Sequence, residues 1–173
     1  ASSNDSYADL SAQILNSVST EYLKFSNFGF AIPVGATING IQVDVERSET
    51  GGVGIVDSRV RIVKADATVG TTDKSSGSAW PDTTDGTASY GGAADLWGET
   101  WTAENINDSD FGFVISATGN SPIQTSGPRI DDAIVTITYT PLRITVTPGT
   151  LALTTTTYAP TVAVRTTVTP GTL

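Results

Sequence analysis

Two tryptophans and a carboxylate at alternate positions make up the most site-like motif in the chain, residues 95–101 (DLWGETW). In an extended strand, Trp97, Glu99 and Trp101 project from the same face. Indole rings can stack on the faces of a sugar ring while a carboxylate accepts hydrogen bonds from the sugar hydroxyls. The motif is therefore a candidate glycan-binding platform. The alternative is that the tryptophans close one end of the protein core and leave Glu99 in solvent.

Acidic and amide side chains at turns are a second candidate, because their oxygens are the ligands that calcium prefers. None of these positions follows the spacing of an EF-hand loop. Asp and Asn also favour turns for backbone reasons alone. The sequence therefore predicts no cofactor and no metal site, with calcium as the alternative. The positions are Asp82, Asp85, Asn107, Asp108, Asp110, Asp131 and Asp132.

Most catalytic schemes are excluded by composition, since the chain of 173 residues has no His and no Cys. Ser-His-Asp triads, Cys-His pairs and His/Cys zinc sites cannot form. A pair of carboxylates for glycoside hydrolysis is the one scheme left open. With 18 acidic residues, some pair will lie at a suitable distance by chance. We therefore expect a protein that is not an enzyme.

Charge divides the chain into two parts of opposite sign. Residues 1–140 hold seven basic and 18 acidic side chains, a net charge of −11, whereas residues 141–173 hold only Arg143 and Arg165, a net charge of +2. This asymmetry predicts a boundary, and it favours contact between the two parts. The pI of about 4.2 argues against nucleic-acid binding. Because no run of 18 apolar residues occurs, we expect no membrane insertion.

Alternating apolar and polar residues predict an all-β domain over residues 1–140. Seven to nine short strands separated by Gly, Pro and Asn turns favour a two-sheet β-sandwich of jelly-roll type. Residues 66–95 are predicted to be a surface loop pinned by Trp80 and Tyr90, and residues 9–18 fit a helix or a strand equally well. The predicted strands lie within residues 22–30 (a strand pair or a bulged strand), 41–46, 59–62, 111–116 and 133–140.

Residues 141–173 form a Thr/Pro-rich tail in which VTPGTL at 146–151 recurs at 168–173, 22 residues later. Its alternating residues predict β-strands, yet so short a piece cannot bury an apolar face alone. We expect it to pack on its own domain, on further repeats or on another subunit. The predicted contact residues are Leu142, Ile144, Val146, Leu151, Leu153, Val162 and Val164.

Residues 4–140 resemble a β-sandwich domain family of phage tail or virion-associated proteins and of large secreted bacterial repeat proteins. The resemblance implies a structural or adhesive protein that is secreted or carried on a virion, and it supplies no catalytic residue. It is carried by residues 4–7 (NDSY), 22–24 (YLK), 28–30 (FGF), 32–41 (IPVGATINGI), 60–64 (VRIVK), 95–101, 111–113 (FGF) and 135–140 (VTITYT).

Together these patterns predict a structural subunit of an extracellular filament or appendage. Its tail would add as a β-strand to the next subunit, so that the partner is a second copy of the chain. One alternative is a phage tail, fibre or capsid-decorating module, and another is an adhesive module that binds surface or matrix glycans through Trp97 and Trp101. The chain lacks Met at position 1. This predicts a processed chain or a fragment, consistent with secretion after removal of a signal peptide.

Overall fold

The computed structural model describes residues 7–9, 18–52, 54–119 and 127–143. Seven strands form two antiparallel sheets that pack face to face, which confirms the predicted two-sheet β-sandwich. One short helix precedes β6 in the chain. The elements are β1 (Ala8–Asp9), β2 (Leu23–Ser26), β3 (Thr37–Glu49), β4 (Ile55–Val63), β5 (Gly86–Gly92), α1 (Ala103–Asn107), β6 (Gly112–Gly119) and β7 (Pro128–Thr140).

Strand alternation places one face of each sheet in a common core. In β3, the side chains of Ile41, Val43 and Val45 are fully buried, whereas the intervening Gln42 and Asp44 lie on the half-buried outer face. Aromatic rings fill the space between the sheets, and the rings of Phe25 and Phe113 stack with their centroids 4.8 Å apart. Burial of these side chains is the main stabilising contribution to the fold.

The chain alternates between the sheets. The first sheet has the order β1-β7-β3-β5 and the second has the order β2-β6-β4, so odd-numbered strands lie in one and even-numbered strands in the other. Each connection between successive strands therefore passes from one sheet to the other. This is the winding of a jelly roll that has three strands, not four, in its second sheet.

An irregular segment, residues 64–80, lies where a fourth strand of the second sheet would be. It runs antiparallel to β4, because the Gly70 amide donates to the Ile62 carbonyl at 2.8 Å and the Trp80 amide donates to the Ile55 carbonyl at 2.7 Å. Between these points, a carboxylate oxygen of Asp73 accepts the Val60 amide at 3.0 Å in place of a backbone carbonyl. The segment shields the edge of β4 from other strands.

Three local predictions differ from the structure. The region 66–95, predicted as a loop, contains β5, whose small residues Gly, Ala and Ser carry little strand signal. Residues 27–30 are not a strand, because Asn27 and Gly29 have positive φ angles of 61° and 70°. The helix α1 was not predicted; Thr102 caps it and forms a reciprocal pair of hydrogen bonds with Asn105. Residues 10–17, predicted as helix or strand, lie outside the described residues.

A buried ion pair with its hydrogen-bonding partners joins the two sheets. Asp57 on β4 accepts hydrogen bonds from Arg47 on β3, from the Tyr90 hydroxyl on β5 at 2.9 Å and from the Trp80 indole at 2.9 Å. The Ser76 amide donates to the same carboxylate at 2.8 Å. Burial raises the pKa of Tyr90, which keeps its hydroxyl protonated as a donor. Trp80 and Tyr90 thus hold the 64–92 region against the sandwich, as predicted.

We predict that Asp57→Ala lowers the free energy of unfolding by about 3–5 kcal/mol, because it leaves the Arg47 guanidinium buried without its counter-ion. Urea denaturation followed by tryptophan fluorescence measures this loss. The control is Lys24→Ala, which removes an exposed ion pair to Asp110 at 3.6 Å and should cost less than about 1 kcal/mol. Equal losses in the two variants would show that the buried pair has no special role.

Candidate functional site

The candidate glycan platform does not form, because both of its tryptophans are buried. Trp97 is 0% exposed and Trp101 is 8% exposed, while Glu99 is half-buried. The Trp97 indole donates to the Ile41 carbonyl at 3.0 Å, and the Trp101 indole donates to the Leu96 carbonyl at 2.9 Å. A ring that stacks on a sugar needs a face open to solvent. For the two tryptophans the structure matches the alternative, in which they fill the core, but Glu99 is not left fully in solvent.

The backbone at Trp97 explains why residues 95–101 do not form the extended strand that would place Trp97, Glu99 and Trp101 on one face. Trp97 and Gly98 have φ angles of +58° and +72°, and the Glu99 amide donates to the Leu96 carbonyl at 3.1 Å. This is a type I′ turn, not a strand. A positive φ is unfavourable for a bulky residue. It is held in place by the buried indole and by Asp95, which accepts the Trp97 amide at 2.8 Å.

Asp95 also binds Lys74, whose ammonium lies 5.7 Å from the centroid of the Trp97 ring. Partial burial of Asp95 opposes ionisation, but the hydrogen bonds from Lys74 and the Trp97 amide outweigh it and lower the pKa of the carboxyl. Asp95 and its partner Lys74 therefore stabilise a turn.

The acidic turns that were the alternative calcium ligands do not converge in the part of the chain that the structure describes. There, no group of three or more acidic side chains has the geometry to hold a metal ion. Asp108 accepts the amide of Asp110 at 2.8 Å, and Asn107 exchanges two hydrogen bonds with the backbone of Ile32. These side chains satisfy turn backbone, which was the competing interpretation.

The outer edge of β7 is the candidate surface for a partner strand. On one side, β7 pairs with β3 along its whole length, from Pro128 to Thr140. On the other side, β1 pairs only with Arg129 and Ile130. The described part of β1 therefore covers only the beginning of β7 on that side. An edge of this kind presents backbone donors and acceptors to any extended segment that approaches it.

Beside this edge, the outer face of the first sheet carries a cluster of carboxylates. Glu46 of β3 lies directly opposite Asp132 of β7, and Asp44 lies opposite Ile134. With Thr87 of β5, these four residues line an open cleft of about 140 Å³. The pKa of Glu46 is raised by partial burial and by the neighbouring carboxylates of Asp131, Asp85 and Asp132. The cleft is thus an electronegative site that favours a cation.

The tail leaves the domain at the far end of the same strand. Leu142, one of the predicted contact residues, is 59% exposed and lies against Gly35. The neighbouring Val34 is 75% exposed, so a small apolar patch marks the exit of the tail. The other predicted tail residues, Ile144, Val146, Leu151, Leu153, Val162 and Val164, lie outside the described residues.

Sequence reasoning missed the cleft and the Arg47–Asp57 pair for different reasons. The alternation of Ile41, Val43 and Val45 already placed Asp44 and Glu46 together on the other face, but only the strand register brings Asp132 opposite Glu46. Arg47 follows Val45 at period two and so lies on the inner face. That pattern was a usable signal for a buried cation.

We predict that Glu46→Gln raises the free energy of unfolding at pH 7 by about 0.5 kcal/mol, because it removes repulsion between directly opposed like charges. The raised pKa of Glu46 means that its ionised form destabilises the folded state. The gain should therefore be present at neutral pH and vanish below about pH 4, where the unfolded state also holds the proton. Urea denaturation at several pH values measures it.

The control is Glu104→Gln at the start of α1. Hydrogen bonds from its own amide and from Thr102 lower the pKa of Glu104, so its ionised form is favoured in the fold and its replacement should not stabilise the protein at pH 7. A Glu46→Gln variant that is less stable than the wild type at pH 7 would contradict the repulsion argument.

In comparisons with known proteins, no family model, curated protein or solved structure matches the chain. Among the described residues, no helix has the length and apolar character needed to cross a membrane.

Proposed function

We propose that this protein is a non-enzymatic structural subunit that assembles head to tail, with the tail of one copy adding as a β-strand to the sandwich of the next. The observation that carries the proposal is the outer edge of β7, on which the described strand β1 pairs with Arg129 and Ile130 at the start of a strand of 13 residues. A tail rich in β-prone residues follows directly after this strand. An acceptor edge and a donor segment are thus present in one chain, as β-strand addition requires.

Among the strand edges, β7 is the best acceptor by length and composition. Beyond the positions that the described part of β1 covers, it includes Ile134, Val135, Thr136, Ile137 and Thr138, all β-branched residues that favour extended backbone. The edge strand β2 has only four residues, and β5 has three glycines among its seven. Glycine weakens a strand, and a short strand offers few hydrogen bonds.

Opposite charges support contact between the tail and the domain. The domain carries a net charge of −11, and the tail carries +2 with no acidic residue. Attraction of this kind steers association and disfavours pairing between two tails or between two domains. A contact in which one surface of a subunit meets a different surface of the next produces a filament when the rotation between subunits does not close a ring.

We place this assembly outside the cell or on a virion surface, in line with the resemblance of residues 4–140 to secreted and virion-associated domains. The phage tail, fibre or capsid-decorating module is the same proposal in a different setting. Glycan binding through Trp97 and Trp101 is not proposed, because their rings are buried.

The test compares the full chain with a chain that ends at Thr140. We expect regular filaments from the full chain in negative-stain electron microscopy, and monomers of unchanged circular dichroism from the shortened chain. Addition of a peptide of residues 141–173 to the shortened chain should protect amides of β7 from hydrogen exchange.

Two results would contradict the proposal. One is assembly that persists without residues 141–173, and the other is a full chain that stays monomeric in sedimentation at every concentration tested. Either result would remove the tail as the donor of a strand.

A further inference from the structure

We propose that β1 is a displaceable cover on the outer edge of β7, fastened by the side chain of Tyr7, and that a subunit accepts the tail of another copy only after β1 has left this edge. The inference rests on the proposed function and adds the regulation of its acceptor edge. A subunit with β1 in place is closed to assembly, and a subunit with β1 released is open to it.

β1 and an added tail strand need the same backbone groups. β1 pairs antiparallel with β7, with Ala8 opposite Ile130 and Asp9 opposite Arg129. Because of this direction, the chain reaches Ala8 from the side of β7 residues 131–140. A row of strand donors and acceptors pairs with one neighbouring strand at a time. A tail strand can therefore extend along this edge only where the amino-terminal chain does not cover it.

The Tyr7 side chain fastens β1 to the outer face of the first sheet. Its hydroxyl donates to a carboxylate oxygen of Asp85 at 2.9 Å, 78 residues away in the chain. The Arg129 guanidinium lies over its ring, 5.2 Å from the ring centroid. β1 is at one border of the sheet and Asp85 directly precedes β5 at the other border, so these contacts tie the two borders together. Ser48, opposite Arg129 in β3, is 3% exposed, as expected where a ring covers this row.

The fastening is weak enough to open while the sandwich stays folded. The described β1 has two residues, and the side chains of Tyr7 and Ala8 are only half-buried. So short a strand contributes few ladder hydrogen bonds. The hydrogen bond to Asp85 and the cation–π contact with Arg129 contribute modestly, because they lie close to solvent. Segments with few buried contacts open locally without global unfolding.

A cover that opens sets the protein concentration at which assembly begins. An uncovered strand edge pairs with any extended chain that meets it, and proteins cover such edges for this reason. When only the open form binds a tail, the apparent affinity falls in proportion to the fraction of open subunits. The critical concentration therefore depends on how strongly Tyr7 holds β1, and loss of the Tyr7 contacts should lower it.

Removal of the Tyr7 hydroxyl tests the fastening in the full chain. We expect Tyr7→Phe to lower the critical concentration for assembly at least about threefold, and Tyr7→Ala to lower it further, because each raises the open fraction. The matched control is Tyr22→Phe, which removes the hydroxyl of a tyrosine that is 43% exposed before β2 and should leave the critical concentration unchanged. Sedimentation measures these values, and circular dichroism checks that each variant is folded.

Hydrogen exchange below the critical concentration reads the cover in the monomer. Amide exchange at Arg129 and Ile130, the positions that β1 covers, should be faster in Tyr7→Phe than in the wild type. Tyr22→Phe should exchange at the wild-type rate there. Equal rates in the wild type, Tyr7→Phe and Tyr7→Ala would show that Tyr7 does not hold β1.

A disulfide between β1 and β7 tests whether β1 must leave. Asp9→Cys and Arg129→Cys place two cysteines opposite each other in a chain that has no native cysteine. Opposed residues have Cβ atoms about 4.5–5.5 Å apart, which permits a bond after small shifts. The bond is formed below the critical concentration, so that it closes within one chain. We expect the oxidised chain to assemble at a critical concentration at least about tenfold higher than the same chain after reduction.

The control for this disulfide joins β2 to β6 in the second sheet. Lys24→Cys and Val114→Cys are also directly opposed, so oxidation of this variant introduces the same kind of cross-link away from the β7 edge. Its critical concentration should be the same before and after reduction.

The outcomes separate this inference from the proposed function. Tail-dependent filaments whose critical concentration is unchanged by Tyr7→Ala, or by oxidation of the β1–β7 disulfide, would overturn the cover and leave strand addition in place. Filaments that form without residues 141–173, but only after reduction of that disulfide, would overturn the proposed function and leave the cover in place. Full-length chains that stay monomeric even with Tyr7→Ala would overturn both.

Discussion

This structure depends on one constraint: the backbone donors and acceptors at the edges of its sheets need hydrogen-bonding partners. A strand has two rows of backbone donors and acceptors, and a sandwich leaves a row unpaired at each border of each sheet. At β4, the protein covers the border with the irregular segment 64–80, in which Asp73 substitutes for a carbonyl. At β7, within the described residues, β1 covers Arg129 and Ile130. One border is thus satisfied by an irregular segment and the other, in its described part, by a short strand.

The interior is organised around the buried carboxylate of Asp57. Asp57 accepts from Arg47, Tyr90, Trp80 and Ser76, so residues from both sheets and from the irregular segment meet at one carboxylate. Such an arrangement contributes less stability than apolar packing of the same volume, but it penalises any displacement that separates its members. It therefore fixes the position of the 64–80 segment, and with it the shielding of the edge of β4.

Strand alternation predicts the long strands well, because a residue buried on one face leaves a period of two in the sequence, as in β3 and β7. It fails at β5, where small residues carry no such period, and at Trp97, where a turn replaces a strand. The carboxylate cleft depends on the pairing of Glu46 with Asp132, two residues far apart in sequence, and the bulge at Asp131 shifts that register. Long-range register is information that local patterns do not contain.

The turn at Trp97 has a consequence for how the protein tolerates change. Its backbone would prefer glycine or asparagine, while its surroundings require a large indole that donates to Ile41 and lies against Gly91, where an added methyl group would come within 2.6 Å of the ring nitrogen. A smaller residue relieves the backbone but empties the core, and another aromatic residue keeps much of the volume but loses the donor. No standard amino acid improves both. We therefore expect every single substitution at position 97 to lower the stability of the fold.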